Sequence, residues 1–357
     1  MAKKHNFGAG PCILPQEVFQ QAAAAVLDFN GLSILEISHR SKDFIAVLEE
    51  ARESVKKALN VPEGYTVLFL QGGASLGFLI AAMNMAGAYK KAAYVNTGEW
   101  AKKAMKEAKN AGVDVVEVAS SEDKNFNYIP TDFVIPEDCD YLHFTSNNTI
   151  FGTQFKTFPK AHVPIVCDMS SDIFSRQINV ADFDIIYAGA QKNMGPAGAT
   201  LYIVKESILG KSSLSGIPTY LDLKTHHEKD SSFNTPPVFS IYVSMLNLRY
   251  ILQQGGVAEM ERRNEAKAKL LYNEIDNNPL FEGTTAVEDR SNMNATFVLK
   301  DDSLTEAFNQ AWNDAGIIGL KGHRSVGGFR ASMYNALDIS SVKVLVEVMK
   351  EFAVKKA

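Results

Sequence analysis

Hydrophobic residues cluster in short runs along the first two thirds of the chain, with polar or helical segments between many of them. Seven runs rich in β-branched and aromatic residues predict buried strands at 65–71, 92–98, 113–119, 141–147, 164–170, 184–190 and 200–206. The segments 75–89 and 99–112 have helical patterns, and the second gathers its polar residues on one face. This alternation predicts an α/β fold with a seven-stranded, mostly parallel sheet covered on both faces.

The last third of the chain has a different pattern. A helical stretch at 243–277 is interrupted by Gly255-Gly256, which predicts a bend or a domain junction. A short strand at 294–300, a helix at 303–316 and an amphipathic helix at 340–356 follow. We therefore predict a large domain at 16–255 and a smaller α+β domain formed by 1–15 and 256–357.

Composition narrows the class of protein. The 357 residues are 46% hydrophobic and 22% charged with a net charge of −5, which argues against disorder and against a general nucleic-acid surface. Cys12, Cys139 and Cys167 are too few and too scattered for a disulfide framework. No apolar run reaches the roughly 18 residues of a membrane span, so we predict a cytoplasmic protein without a membrane partner.

The stretch "LQGGASLGF" at 70–78 takes a predicted strand through two glycines into a predicted helix. The free N–H groups at such a helix start can bind a phosphate or a carboxylate. The alternative is a tight turn without a ligand.

Two charged residues follow consecutive predicted strands. Asp168 ends one run, where it could cap the next helix, and Lys192 follows the next run, where it could reach solvent or pair with Asp168. With the glycine turn, however, they supply a phosphate cradle, an acid for a pyridinium proton and an amine for a carbonyl, the groups that pyridoxal phosphate requires. Trp100 follows another strand and could stack on a ring or fill the core.

Basic residues cluster in "ISHRSKDF" and "LKGHRSVGGFRAS", although the chain is acidic overall. They are His39, Arg40, Lys42, Lys321, His323, Arg324 and Arg330. They form either a solvated face or, as we favour, the site of a small substrate with two acidic groups. The adjacent histidines of "HHEKD" at 226–230 cannot share a face, so we predict a solvated loop there and no metal site.

Nine motifs, in this order, resemble those of the phosphoserine aminotransferases, a group of the class V aminotransferase family. They are "NFGAGPCILP", "ISHRSKDF", "LQGGASLGF", "NTGEW", "NNTIFGT", "CDMSSD", "YAGAQKNMGPAG", "FNTPPVFS" and "GHRSVGGFRASMYNA". The resemblance covers nearly the whole chain and implies the fold type I of pyridoxal-phosphate-dependent transferases.

The resemblance also implies roles for residues that would hold the cofactor. Lys192 would form the Schiff base with pyridoxal phosphate, Asp168 would pair with its ring nitrogen, and Trp100 would stack on the ring. The remaining expected contacts are Thr149 to the ring hydroxyl and Ala74, Ser75 and Gln191 to the phosphate.

Other residues are implied to act across a homodimer interface or on the substrates. Asn234 and Thr235 would reach the cofactor from the neighbouring subunit, so that the two active sites are shared. The acidic groups of the substrates would bind to His39, Arg40, His323, Arg324 and Arg330, with Arg330 holding the α-carboxylate.

The reaction implied is transamination between L-glutamate and 3-phosphohydroxypyruvate, which gives O-phospho-L-serine and 2-oxoglutarate in L-serine biosynthesis. Use of 4-phosphohydroxy-L-threonine in pyridoxine biosynthesis stays open. Two positions depart from the motif, because some members have arginine in place of Ser75 and glutamine is frequent in place of Gly77. We expect Ser75 to preserve the backbone contacts to phosphate and Gly77 to cost some helix stability.

Two other functions are compatible with part of these motifs. A cysteine desulfurase would share the cofactor motifs but requires a catalytic cysteine on a mobile loop, and none of the three cysteines is an evident candidate. A non-catalytic binding protein would not need the two histidine-arginine pairs. Both alternatives are less favoured than the aminotransferase.

Overall fold

The computed structural model describes residues 4–324 and 326–356. Within these ranges the helices are α1 (Gln16–Leu27), α2 (Lys42–Leu59), α3 (Gly73–Met85), α4 (Glu99–Asn110), α5 (Leu223–Glu228), α6 (Val238–Gln253), α7 (Gly256–Asn277), α8 (Thr305–Asp314) and α9 (Ile339–Lys356). The strands are β1 (His5–Asn6), β2 (Tyr65–Leu70), β3 (Lys91–Asn96), β4 (Asp114–Ser120), β5 (Tyr141–Thr145), β6 (Ile165–Asp168), β7 (Ile185–Gly189), β8 (Thr200–Lys205), β9 (Phe281–Gly283), β10 (Asn294–Leu299), β11 (Ile317–Ile318) and β12 (Phe329–Ser332).

The largest sheet has seven strands in the order β2-β8-β7-β6-β5-β3-β4. Strands β4, β3, β5, β6 and β7 are parallel to one another, whereas β8 is antiparallel to both β7 and β2. Because β2 and β7 both oppose β8, they run in the same direction. The predicted α/β class and the seven-stranded, mostly parallel sheet are confirmed.

Both faces of this sheet are buried, which explains why its strands read as continuous apolar runs. In β5, Leu142 and Phe144 belong to the core on the side of α1, α2 and α6. Tyr141 belongs to the core on the opposite face, where it packs with residues of α3 and α4. His143 lies on that second face, stacked on Tyr94 with ring centroids 4.8 Å apart.

The paired glycines separate two helices, as the sequence predicts. Helix α6 ends at Gln253 and α7 begins at Gly256, and Gly255 between them has a φ of 104°. This left-handed conformation is readily adopted by glycine and rarely by other residues. The interrupted stretch predicted at 243–277 is therefore two helices.

A second core lies around α7, α8, α9 and the three-stranded sheet β12-β10-β9. Phe7 from the start of the chain packs into it, and Leu14 and Val257 belong to the first core. The division at 15/16 and 255/256 stays a prediction, and residues 1–3, 325 and 357 of the small domain lie outside the described residues.

The predicted solvated loop at 226–230 is wrong in part, because 226–228 form the end of α5. His226 is buried and its Nε2 lies 2.6 Å from the carbonyl oxygen of Tyr220. The apolar surroundings of this ring were not visible in its local sequence. In the described part of the chain, no helix is both long enough and apolar enough to cross a membrane.

Candidate active site

A cavity of about 330 Å³ opens at the carboxyl ends of β5, β6 and β7. This is the edge of an open α/β sheet where ligands bind. The cavity brings together nine of the predicted site residues: Ala74, Ser75, Trp100, Thr149, Asp168, Gln191, Lys192, His323 and Arg330.

Lys192 lies in the turn between β7 and β8. The turn is fixed by its own backbone and by neighbouring elements, since Asn247 Nδ2 donates to the carbonyls of Asn193 and Met194 at 2.8 and 2.9 Å. The carbonyl of Gln191 accepts from the Cys12 N–H at 3.0 Å. Burial lowers the pKa of Lys192 to about 8 despite the opposing charge of Asp168, so the amine is more easily deprotonated than an ordinary lysine.

Asp168 is the last residue of β6 and is almost fully buried. Its Oδ1 accepts a hydrogen bond of 2.9 Å from the Ser170 N–H, which fixes the carboxyl group in the cavity wall. Burial raises the pKa of Asp168, while the hydrogen bonds from Ser170 and the charge of Lys192 oppose that effect. A cationic ring nitrogen in the cavity would stabilise the carboxylate further.

The amino terminus of α3 forms another wall of the cavity. Gly72 and Gly73 take left-handed conformations with φ of 98° and 62°, and Ala74 and Ser75 line the cavity just after them. A side chain on Gly72 would meet Leu76 at 2.5 Å, so the tight turn requires glycine there. The helix start therefore presents backbone N–H groups and the positive end of its dipole to the cavity.

Packing against the sheet explains why residue 77 is glycine, which the sequence alone did not reveal. A Cβ at this position of α3 would lie 2.8 Å from Cδ2 of Tyr187, a fully buried ring on β7. The helix can lie this close to the sheet only because residue 77 has no side chain. The expected cost in helix propensity is thus accompanied by close helix-sheet packing.

Trp100, Thr149 and Arg330 are joined by hydrogen bonds at one side of the cavity. Trp100 Nε1 donates to Thr149 Oγ1, and Arg330 Nη1 donates to the Thr149 carbonyl, each at 3.0 Å. Arg330 Nε is buried and has no hydrogen-bond partner among the described residues. The guanidinium is thus anchored at one nitrogen, with donors left for an anionic ligand.

His323 lines the cavity, but Arg324 is exposed and lies outside the lining. Partial burial lowers the pKa of His323, and the charges of Arg330, Arg324 and Lys103 lower it further. In the free site at neutral pH, His323 is therefore mostly neutral.

Four predicted residues do not reach this cavity within a single chain. His39 and Arg40 line a separate surface cavity beside Lys229 and Asp230. Asn234 and Thr235 lie in the loop between α5 and α6. Asn234 is exposed, and the carbonyl of Thr235 accepts a 3.1 Å hydrogen bond from Gln71 Nε2.

Sequence reasoning missed several lining residues that are small or uncharged. Ala9 and Gly10 come from the amino-terminal segment, and Thr145, Asn147 and Ser171 come from the region of β5 and β6. The opening motif "NFGAGPCILP" was the available signal for the first two. Among the described residues, no group of three or more histidine, cysteine or acidic side chains could hold a metal ion.

The lining fits pyridoxal phosphate. It has an amine of lowered pKa on Lys192, a buried carboxyl group on Asp168, an aromatic ring on Trp100 and a helix amino terminus suited to a phosphate group. No described side chain donates to or accepts from Lys192 Nζ, so the amine is available for a ligand.

Comparison with known proteins identifies the family. Residues 5–345 match the family of class-V aminotransferases. The chain therefore belongs to the class-V aminotransferases.

Within that family it groups with the phosphoserine aminotransferases. It is 60% identical over 352 residues to the phosphoserine aminotransferase of Flavobacterium psychrophilum, with 98% of each chain covered. It is 56% identical to that of Bacteroides thetaiotaomicron, covering 98% of this chain and 99% of the relative.

Solved structures support the grouping with the phosphoserine aminotransferases. The phosphoserine aminotransferase of Bacillus circulans subsp. alkalophilus superposes with a TM-score of 0.96 at 43% identity, covering 99% of both chains. The pyridoxal-phosphate-bound phosphoserine aminotransferase of Trichomonas vaginalis gives 0.93 at 36% identity, covering 98% of this chain and all of that one.

Proposed function

We propose that this chain catalyses transamination between L-glutamate and 3-phosphohydroxypyruvate, giving O-phospho-L-serine and 2-oxoglutarate for L-serine biosynthesis. One observation carries the proposal: a single cavity joins Lys192, Asp168 and the α3 amino terminus in a chain 60% identical to a phosphoserine aminotransferase. Pyridoxal phosphate, when bound, supplies an electron sink for the bond changes at the substrate Cα.

Lys192 serves in this proposal as the amine that holds the cofactor and then as the base and acid that moves a proton at the substrate Cα. Burial lowers the pKa of Lys192 to about 8, so a useful fraction of the amine is neutral near physiological pH. The turn that carries it is fixed by Asn247, which donates to the carbonyls of Asn193 and Met194, and Lys192 itself lines the cavity. The site thus contains a positioned proton carrier.

Asp168 would hold the charge on the cofactor ring nitrogen, and Trp100 would form the flat surface against the ring. The Thr149 hydroxyl accepts from Trp100 Nε1 and still has its own proton to donate towards the ring hydroxyl. Ala74, Ser75 and Gln191 would hold the cofactor phosphate. These roles are supported by the presence of all six residues in the lining of one cavity.

Arg330 would bind the α-carboxylate of each substrate in turn. Its Nη1 is held by the Thr149 carbonyl and its Nε is unpaired among the described residues, so the guanidinium is oriented before a carboxylate arrives. His323 and Arg324 would act near the distal acidic group. Removing Arg330 by substitution with alanine should cost roughly 1.5 to 3 kcal/mol of binding.

We also propose a homodimer in which Asn234 and Thr235 enter the partner's site, with His39 and Arg40 near the same interface. Two features support it. These residues stay outside the cavity of their own chain. In addition, large apolar side chains nearby in sequence are exposed, with Leu27 85%, Leu35 62% and Phe233 41% exposed.

The shared site can be tested by mixing two inactive variants. Lys192→Ala and Asn234→Ala would be unfolded together, refolded and assayed. If Asn234 serves the neighbouring site, one site of each mixed dimer has both Lys192 and an intact Asn234, so activity returns. No recovery in verified mixed dimers would contradict the shared site.

The assignment of Lys192 has a direct test. Lys192→Ala should lose the visible absorption band of the lysine-bound cofactor together with transaminase turnover, whereas Lys211→Ala, at an exposed lysine, should keep both. If the Lys192 variant retained the band and the turnover, the proposed mechanism would be wrong. We further infer a cytoplasmic location, in keeping with three dispersed cysteines, and an assay with 4-phosphohydroxy-L-threonine would decide the pyridoxine branch.

A further inference from the structure

A chain of buried polar side chains joins the cavity to the strand that contains Arg330. Asn147 lines the cavity just after β5, and its Nδ2 donates to Asn294 Oδ1 on β10 at 2.8 Å. Asn294 Nδ2 in turn donates to Ser332 Oγ at 3.0 Å and to Tyr334 Oη at 3.3 Å. All four side chains belong to residues that are at most 1% exposed, so water does not compete for these hydrogen bonds. The proposed function gives none of the four a role.

A serine fixes the direction of the hydrogen bonds in this chain. Ser291 Oγ accepts from the N–H groups of Met293 and Asn294 at 2.9 and 3.0 Å, so its own proton goes to Asn147 Oδ1. Asn147 then presents its NH2 group to Asn294, and Asn294 presents its NH2 group to β12. The Asn294 amide is therefore held in one orientation, with its oxygen towards the cavity side and its nitrogen towards β12.

The strands β10 and β12 meet the loop at 147–151 along one face. In their antiparallel pairing Asn294 lies opposite Ser332, and Thr296 lies opposite Arg330. Because side chains alternate between the two faces of a strand, Asn294 and Thr296 share one face of β10. Three hydrogen bonds of 2.8 to 3.1 Å join these strands to alternate residues of the loop: Asn294 with Asn147, Arg330 with Thr149, and Thr296 with Phe151. The position of Arg330 in the cavity therefore depends on how the two strands dock on the loop.

We propose that Asn294 is a positioning residue that fixes β10 and β12 against the loop at 147–151 and thereby orients the Arg330 guanidinium. The inference rests on the proposed function, in which Arg330 binds the α-carboxylate of the substrate. A guanidinium that is oriented beforehand loses less freedom when it binds a carboxylate. Loss of the Asn294 link should therefore weaken binding of the α-carboxylate, a group that both substrates have.

The test compares Asn294→Ser with the matched control Asn278→Ser. Asn278 is also buried, and its Nδ2 joins α7 to α9 by donating to Glu274 Oε1 and to the Met349 carbonyl at 2.7 and 3.3 Å. Each half-reaction would be followed separately by stopped-flow absorbance, which gives a dissociation constant and a maximal rate for glutamate and for 3-phosphohydroxypyruvate. We expect Asn294→Ser to raise both dissociation constants by a similar factor, roughly threefold to tenfold, with a smaller change in the maximal rates. Asn278→Ser should leave the dissociation constants unchanged, and both variants should keep the visible absorption band of the lysine-bound cofactor.

A double-mutant cycle separates positioning of Arg330 from a general structural effect. In an Arg330→Ala background, Asn294→Ser should not raise either dissociation constant further, because its effect passes through Arg330. Ser332→Ala removes one acceptor at the β12 end of the link and should raise both constants by a smaller factor of roughly twofold. This milder variant decides the question if Asn294→Ser does not fold.

The outcomes separate this inference from the proposed function. An equal effect of Asn294→Ser with and without Arg330, an equal effect of Asn278→Ser, or wild-type dissociation constants in the Asn294 variant would refute the role of Asn294. A wild-type protein that reacts with glutamate but does not use 3-phosphohydroxypyruvate would instead contradict the proposed function, and the glutamate half-reaction would still test Asn294. Wild-type dissociation constants in Arg330→Ala would contradict both the carboxylate role of Arg330 and the inference drawn from it.

Discussion

Replacing Gly77 with alanine tests whether close packing, rather than helix propensity, determines the residue at this position. The added Cβ would lie 2.8 Å from Tyr187 Cδ2, about 0.6 Å short of the 3.4 Å at which ordinary contact begins. Tyr187 is fully buried and its hydroxyl lies 2.7 Å from His143 Nε2. Its ring also meets Phe78 and Tyr202 with centroids 6.0 and 6.2 Å apart, so it has little room to move.

Two opposing effects set the magnitude. Alanine in place of glycine within a helix stabilises it by about 0.8 to 1.0 kcal/mol. Overpacking a rigid core costs about 1 to 3 kcal/mol, and the surroundings of Tyr187 favour the upper half of that range. We therefore expect Gly77→Ala to lower the free energy of unfolding by about 1 to 2 kcal/mol.

The assay is a double-mutant cycle in which the free energy of unfolding of each cofactor-free variant is measured with denaturant. In a Tyr187→Ala background the contact is absent, so the same Gly77→Ala change should stabilise the protein. Displacement of α3 should also weaken cofactor binding by the single variant, because Ala74 and Ser75 line the site just before residue 77. If Gly77→Ala stabilised the protein by the same amount in both backgrounds, the packing argument would be refuted.

Three further predictions concern buried charges. Asp168→Asn should fold normally but slow the glutamate half-reaction by roughly a hundredfold or more in stopped-flow absorbance, because the ring nitrogen loses its anionic partner. The single-turnover rate of that half-reaction should rise as the pH is raised through about 8, because burial lowers the pKa of Lys192 to that value and proton transfer needs the neutral amine. A rate that does not change with pH would contradict this prediction. Lys267 is buried with its Nζ donating to the carbonyls of Met333 and Tyr334 at 2.9 and 2.7 Å, and burial lowers its pKa to about 7. Between about pH 7 and 10.5 the unfolded chain therefore binds more protons at Lys267 than the folded protein does. The free energy of unfolding of the wild type, relative to that of Lys267→Met, should rise with pH across that range in denaturant titrations.

Much of the large sheet could be predicted from sequence because both of its faces are buried. Most strands are then apolar runs that need no partner to be recognised, and each of the seven predicted runs overlaps a strand of the sheet. The orientation of β8 was not predictable in this way, because an apolar run has the same composition in either direction. The close approach of Gly77 to Tyr187 likewise joins positions 110 residues apart, and no local pattern records it.

Lys267 and His226 show a second limit of sequence-based prediction. Lys267 lies on a helix of mixed polarity, and a lysine there reads as a solvent-exposed residue, yet its ammonium is buried against two carbonyl groups. His226 lies beside a second histidine in a polar stretch, yet its ring is buried. The carbonyl groups that bind Lys267 lie 66 and 67 positions away in the sequence, whereas His226 contacts Tyr220 and Phe233, which lie just outside the histidine pair. Residue type alone indicates neither environment.

The assembly of the candidate site follows from the direction of its strands. Strands β2, β3, β5, β6 and β7 all run the same way, so the residues that follow them meet at one edge of the sheet. Every cavity residue predicted from these turns lies at or soon after such a strand end: Ala74, Ser75, Trp100, Thr149, Asp168, Gln191 and Lys192. No such rule applies to the loops that contain Arg40 and Asn234, because neither loop continues from a strand of this edge. Strand direction therefore does not place Arg40 and Asn234, which lie outside the cavity of their own chain, and only under the proposed homodimer would a second copy of the chain bring Asn234 to the site.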